Sequence, residues 1–375
     1  MRYFDYASTT PLDCEILEKY QEYLTNYFAN SESMHPLGTE VKKLVDQSRN
    51  LTAKLLKVKP EEIIFTSGAS EANSTAIKGY ALANKTKGNH LITTQIEHSS
   101  VLNSYRQLEK EFGFKVTYLK VDENGIVDLN QLKESIDSAT ILVSIMAVNN
   151  ESGTIEPLDK IKKILKDYPK VKLHVDYVQA IGKMPIDLTG VDFGSFAAHK
   201  IGGLNGCGVL YKKAGLKILP LISGGQQEGG LRGGTENALN YALFGLTLKK
   251  ALDSEEEHNV KVKQLNSELR ELLNDPGIVI NTPVDGSPYI LNISCLKLPS
   301  EVHLNALGKE GFCVSAHSTC DSRSKDSSYV LKAMGIKGER LKGVIRISLA
   351  ASLNQEDIKD LAKAIKENIK TYGIH

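Results

Sequence analysis

Asp176 and Lys200 are the residues in this sequence whose types and placement most directly suggest chemistry. Asp176 closes a short apolar run, Val171 to Val175, of the kind that ends a buried strand. Lys200 follows a second apolar and small-residue run, Phe193 to Ala198, with His199 before it and a glycine-rich turn after it. If both runs are strands of one open α/β sheet, acid and amine both lie outside the carboxyl ends of strands, where such sheets bind ligands. A lysine amine can form a Schiff base with an aldehyde, and a fixed carboxylate can keep a pyridine nitrogen protonated. Pyridoxal phosphate requires that pairing. The two residues taken alone also fit a surface ion pair, so the elements around them must decide.

Those elements alternate. Strands are expected at 62–65, 91–94, 115–119 and 140–148, the last a continuous apolar run that predicts burial on both faces. A helix is expected through Tyr23, followed by a polar loop at 29–35. From Leu37 the residues Val41, Leu44, Val45, Leu51 and Leu55 recur at helical spacing. Strands alternating with helices predict a parallel, doubly wound sheet. The small residues of Thr66-Ser67-Gly68-Ala69-Ser70-Glu71 stand between a strand and a helix, where backbone N–H groups and the helix dipole can close on an anion. An ordinary strand-to-helix turn reads the same way. Past a long helical stretch, 238–273, a second domain begins near Pro276. Its strands are expected at 279–280, 290–293 and 343–348, and its final helix from Gln355 to about Tyr372. The division expected is an N-terminal segment (1–15) packing with the small domain, a large domain (16–255) and a small C-terminal α+β domain (256–375).

The runs H-V-D-x-x-Q at 174–179 and S-F-x-x-H-K at 195–200 resemble the class V aminotransferases, and within them the cysteine desulfurases of the NifS/IscS type. The resemblance covers nearly the whole chain, with its motifs in order. It implies a fold-type I enzyme dependent on pyridoxal 5'-phosphate. It gives Lys200 the Schiff base, Asp176 the ring nitrogen, Gln179 the ring hydroxyl and His98, in E-H-x-S, the ring face and proton shuttling. Ala69, Ser70 and His199 fall at the cofactor, with Ser70 where threonine is usual. Asn149 falls beside the ring hydroxyl and the substrate carboxylate, and Arg346, in R-x-S, grips that carboxylate. Thr235, in a segment similar to G-G-Q-E-x-G-x-R-x-G-T-x-N, would reach the phosphate of a neighbouring subunit, which implies a homodimer with shared sites. Cys320 aligns with the catalytic cysteine, in a polar loop between Val314 and Ser327. L-cysteine would be the substrate, alanine a product, and sulfur would pass from a Cys320 persulfide to an acceptor protein for iron–sulfur cluster assembly or for tRNA or cofactor thiolation.

The chain also departs from that pattern. Ala197 stands where relatives place a phosphate-binding serine, Leu204 where proline is usual, and His317 where glycine is usual. A protonated His317 would raise the thiolate fraction of Cys320. Cys313, His317 and Cys320 could instead ligate a metal. Cys14, Cys207 and Cys295 lie among apolar or small residues and read as structural.

Composition sets the bounds. The 375 residues suffice for a large core, and a formal net charge of +1 gives no nucleic-acid footprint. No secretory signal or apolar stretch of about 18 residues is visible. Five cysteines without a C-x-x-C pair suit a reducing cytoplasm. Alternatives to the desulfurase are a selenocysteine lyase or other class V enzyme, and a non-catalytic sulfur- or metal-binding interaction protein.

Overall fold

The computed structural model describes residues 1–316 and 328–373. The chain opens with a short strand, β1 (Arg2–Tyr3). Seven further strands form the large sheet: β2 (Ile63–Thr66), β3 (His90–Thr94), β4 (Lys115–Leu119), β5 (Thr140–Ser144), β6 (Lys172–Asp176), β7 (Phe193–Ala197) and β8 (Gly208–Lys212). Their order is β2-β8-β7-β6-β5-β3-β4. Strands β3 to β7 pair in parallel and β8 runs antiparallel to both its neighbours. The expected mostly parallel α/β sheet is present.

Period-two alternation makes it a double-sided core. Ile63 and Phe65 point into one apolar cluster and Ile64 into the other, and Val209 and Leu210 divide in the same way. Helices therefore cover both faces. Strand β5 is shorter than its apolar run: it ends at Ser144, although the Ile145 and Ala147 N–H groups still donate to the His174 and Asp176 carbonyls of β6, and the buried chain turns only past Val148. The stretch expected as one helix from 238 to 273 is two, Ala238–Asp253 and Glu255–Leu272, broken at Ser254.

A second sheet joins β9 (Ile278–Ile280), β10 (Ile290–Cys295) and β12 (Val344–Ser348) antiparallel, while β11 (Phe312–Cys313) pairs with β1. Its apolar face, including Ile293, Ile345 and Ile347, packs on the helices Glu255–Leu272 and Gln355–Tyr372. Alternation along β12 turns Arg346 to the opposite face, away from that core. Residues 4–10 run between the two sheets. The Ser348 N–H donates to the Phe4 carbonyl at 2.8 Å, and the Thr10 N–H to the His199 carbonyl at 2.9 Å.

Candidate active site

Parallel pairing sets Asp176 opposite Ser195, so β6 and β7 end side by side. Past β7 a single tight turn, Ala198–Lys200, carries the lysine over that edge. Beneath β2, Thr66 leads into Gly68 at φ 151°, then into the helix that begins at Ala69. A Cβ built on Gly208 would lie 2.7 Å from the Gly68 Cα, so a glycine at the start of β8 is needed to let the two backbones pack. These strand ends enclose a cavity of about 340 Å³. Ala69, Ser70, His98, Asp176, Gln179, His199, Lys200 and Arg346 all line it, together with Ser8, Asn150 and Cys207.

Each polar group is held by named partners. The Asp176 carboxylate is buried and accepts from Asn73 Nδ2 at 2.8 Å and from the Val178 N–H at 3.0 Å. Lys200 Nζ donates to the Ala7 and Ser8 carbonyls, each at 2.6 Å. His98 caps the helix Ser99–Phe112: its Nδ1 accepts from the Ser100 N–H at 3.2 Å and lies 2.8 Å from Ser100 Oγ. Gln179 Nε2 donates to the Ala7 carbonyl at 2.9 Å. Burial, with Lys200 and Lys183 nearby, pushes the His199 imidazole down to about 4, so the ring is neutral at ordinary pH. Glu97, next to His98 and fully buried, is pushed well up by burial, and its Oε2 has no partner.

Arg346 is 1% exposed. It donates to the Asn150 carbonyl at 3.0 Å, to Asp5 Oδ1 at 2.8 Å and to Ser8 Oγ at 2.6 Å. Its Nε has no partner, and neither does Asn150 Oδ1. Unsatisfied buried polar atoms are uncommon and call for a ligand or water. An open guanidinium edge suits a carboxylate.

Two residues given cofactor roles by the resemblance lie off this cavity. Asn149 does not line it. Its Nδ2 donates to the Ile96 carbonyl at 2.8 Å, and its Oδ1 accepts from the Glu151 and Ser152 N–H groups, each at 2.9 Å. With both ends engaged it shapes the turn that presents Asn150 instead. Thr235 is exposed and lies on no wall of the cavity. Its glycine-rich segment is nonetheless tied beside the 66–71 turn. Arg232 Nε meets Glu71 Oε1 at 3.1 Å, and Glu228 accepts from Arg49 and from the Phe65 N–H. Ala197 is buried in β7.

Cys207 lines the cavity, but burial pushes its thiol well above the ordinary range, and Sγ donates to the Asn240 carbonyl at 3.4 Å. It is therefore no thiolate nucleophile. Cys320 and His317 lie outside the described residues, as do two of the three groups of the alternative metal set.

Asp5, Ser8 and Asn150 meet Arg346 and Asn73 meets Asp176, contacts that no motif announced. Nothing in the spacing of Asp5 and Asn150 ties them to Arg346. Asn73 looks like an ordinary helix residue until β6 is placed beneath it.

The group that fits is pyridoxal phosphate. The cavity offers an amine, a fixed carboxylate, an imidazole, a guanidinium and a turn of small residues able to cradle a phosphate. Residues 2–361 match the aminotransferase class-V family. The chain is 41% identical over 375 residues to a protein named cysteine desulfurase IscS from Clostridium botulinum, covering 98% of this chain and 94% of that one. It is 38% identical to the putative cysteine desulfurase IscS 1 of Bacillus subtilis, covering 98% of each. Among solved structures, a NifS-like protein superposes with a TM-score of 0.93 at 36% identity, covering 99% of this chain and all of that one. A structure described as SspA in complex with cysteine gives 0.82 at 32%, covering 93% and 99%. In its strand-end lysine and carboxylate, and along nearly all of its length, the chain belongs to the aminotransferase class-V family.

Proposed function

We propose that the chain is a cysteine desulfurase that converts L-cysteine to L-alanine and carries the released sulfur on Cys320 as a persulfide. One observation carries this reading. Arg346 lines the same cavity as Lys200 and Asp176, so a guanidinium suited to an amino-acid carboxylate shares the site with the amine and the acid.

Bound pyridoxal phosphate supplies an aldehyde for the amine and a sink for the electrons left at the substrate Cα. The protein does the rest. Ser67 to Ser70 and His199 surround the phosphate. Asp176, oriented by Asn73 and Val178, holds a proton at the ring nitrogen. Gln179 presents an amide N–H to the ring oxygen, and His98 covers the ring face. Arg346 and Asn150 orient the substrate through its carboxylate. Lys200, released from the Ala7 and Ser8 carbonyls, moves the Cα proton. The Cys320 thiolate attacks the substrate sulfur: the S–S bond forms, the Cβ–S bond breaks, and the electron pair stays with carbon, which is then protonated to give alanine.

The oligomer proposed is a homodimer in which Thr235 serves the phosphate site of a second copy. Its exposure supports this, as do the exposed Leu221 and Ile222 at the base of the same segment. The division proposed is an N-terminal segment (1–15) packing with the small domain, a large domain (16–255) and a small C-terminal domain (256–375). The sulfur acceptor proposed is a scaffold for iron–sulfur cluster assembly or a thiolation enzyme. A cytoplasmic location is supported by the free state of the four described cysteines. Among the described residues no helix is long and apolar enough to cross a membrane.

The test is a single turnover without reductant. One alanine per subunit, with one added sulfur on Cys320 by peptide mass spectrometry, is the expected result. Alanine formation that leaves Cys320 unmodified would contradict the reading, and a preference for selenocysteine would favour a selenocysteine lyase.

A further inference from the structure

Lys183 is 9% exposed, and a buried lysine is normally paired with an acid. Here the charged groups acting on its amine, Lys200 and Arg346, are both positive. What it does meet is Gln179. Successive turns over 177–184 bring Lys183 back to Gln179, and its Nζ donates to Gln179 Oε1 at 3.0 Å. The Tyr289 ring centroid lies 5.8 Å from the amine, and Asn259 Nδ2 donates to the Lys183 carbonyl at 2.7 Å. Gly182, at φ 65°, closes the turn, and a Cβ there would lie 2.8 Å from the Ala251 Cβ. The geometry around the amine is therefore fixed on several sides.

The amide of Gln179 has one acceptor end and one donor end. Lys183 can meet only the acceptor end if it donates, and the Ala7 carbonyl can meet only the donor end. The two contacts agree: Oε1 faces Lys183, and Nε2 faces Ala7 and the cavity. The Ala7 carbonyl takes one of the two Nε2 hydrogens and also accepts from Lys200. The other hydrogen remains for the cavity.

We propose that Lys183 is a positioning residue for the cofactor: it locks the Gln179 amide so that an N–H, and not the carbonyl, faces the oxygen that the bound ring presents. This rests on the pyridoxal phosphate reading above. Burial and its two cationic neighbours push the Lys183 amine down to about 7. It can donate whether charged or neutral, so the lock holds on both sides of that pH. The other groups around this turn are His199, Tyr289, Lys263, Arg270 and Asp285, the last three across the neighbouring cavity. Arg270 is itself engaged, donating to Asn266 Oδ1 and to the Thr282 and Pro283 carbonyls.

The experiment uses the full-length protein reconstituted with pyridoxal phosphate. It compares wild type, Lys183→Met, Gln179→Ala and the double variant. Borohydride reduction followed by peptide mass spectrometry reads attachment at Lys200. Titration reads cofactor Kd and the pH midpoint of the bound cofactor's visible absorbance. The expected result is attachment at Lys200 in all four, with Kd weakened about five- to tenfold in Lys183→Met, the worth of one hydrogen bond. The midpoint should move upward, and the double variant should be no worse than Gln179→Ala. An unchanged Kd and midpoint in Lys183→Met would overturn the proposal, as would losses that add fully in the double variant. Wild type without attachment at Lys200 would overturn the cofactor reading itself, and the proposal with it. Should the methionine variant fail to fold, Lys183→Ala with added ethylammonium takes its place. Recovery of Kd supports the lock, and a Kd indifferent to the amine overturns it.

Discussion

The two walls of the cavity are built differently. On the large-sheet wall, the strand ends fix where Asp176 and Lys200 stand and some partners are near in sequence, although Lys200 and Gln179 also donate to carbonyls of the N-terminal segment. Asp176 is held in part by the N–H two residues on, and His98 by Ser100. On the opposite wall, Arg346 depends on partners remote in sequence: Asn150, 196 positions away, Ser8, 338 away, and Asp5, 341 away. A wall of strand ends takes its outline once the sheet has formed, with the N-terminal segment adding the Ala7 and Ser8 carbonyls. A wall made of remote contacts exists only when the N-terminal segment and the second sheet have both closed on it. The cofactor half should therefore tolerate changes that disable the substrate half.

The sharpest break in that comparison is Lys200→Ala. It should lower kcat/KM by at least about 10²–10⁴-fold, the usual worth of a positioned proton-transfer group, and abolish borohydride attachment. Arg346→Lys comes next. It loses the planar fork and leaves Asp5 without its partner, so KM for L-cysteine should rise about 100-fold, or about 3 kcal/mol, while cofactor Kd stays within twofold. If Kd moved with KM, the two walls would not be independent. Asp5→Asn should show the same split more weakly, with KM up about tenfold, because a neutral amide holds the guanidinium less well than a carboxylate. Ser70→Ala should do the reverse, weakening cofactor Kd about fivefold with KM unchanged, as the loss of one hydrogen bond to phosphate. The smallest effect belongs to His199. Its depressed pKa, about 4, keeps the ring neutral at every pH above that value, so His199→Gln should leave the shape of the pH–rate profile above pH 5 unaltered.

The same contrast explains what could be read from the sequence. Asp176 and Lys200 were legible because each sits just past an apolar run, and a strand followed by a polar residue marks the ligand edge of such a sheet, whereas Ser70 and His98 were given their roles by the family motifs. Arg346 was legible through its motif, and alternation along β12 supplies the reason it faces inward. Asn149 and Asn150 were not separable. The Ala147 N–H still reaches β6, but the period-two rule that would assign faces does not continue through the turn at 149–153. The break at Ser254 was hidden because helical apolar residues continue on both sides of it. Asp5 and Ser8 gave no signal, since their partner lies more than 300 positions away. Lys183 gave none either: lysine is ordinarily exposed, and only the fold brings Gln179, Tyr289 and Asn259 around this buried one.

The most direct test of the desulfurase account is release of L-alanine and sulfide from L-cysteine in the presence of a reductant, wild type against Cys320→Ala. The account predicts equal amounts of both products from the wild type. It predicts neither from the variant, which should still bind pyridoxal phosphate with wild-type affinity. A variant that binds the cofactor and keeps full activity would show that Cys320 does not accept the sulfur, and would contradict the account.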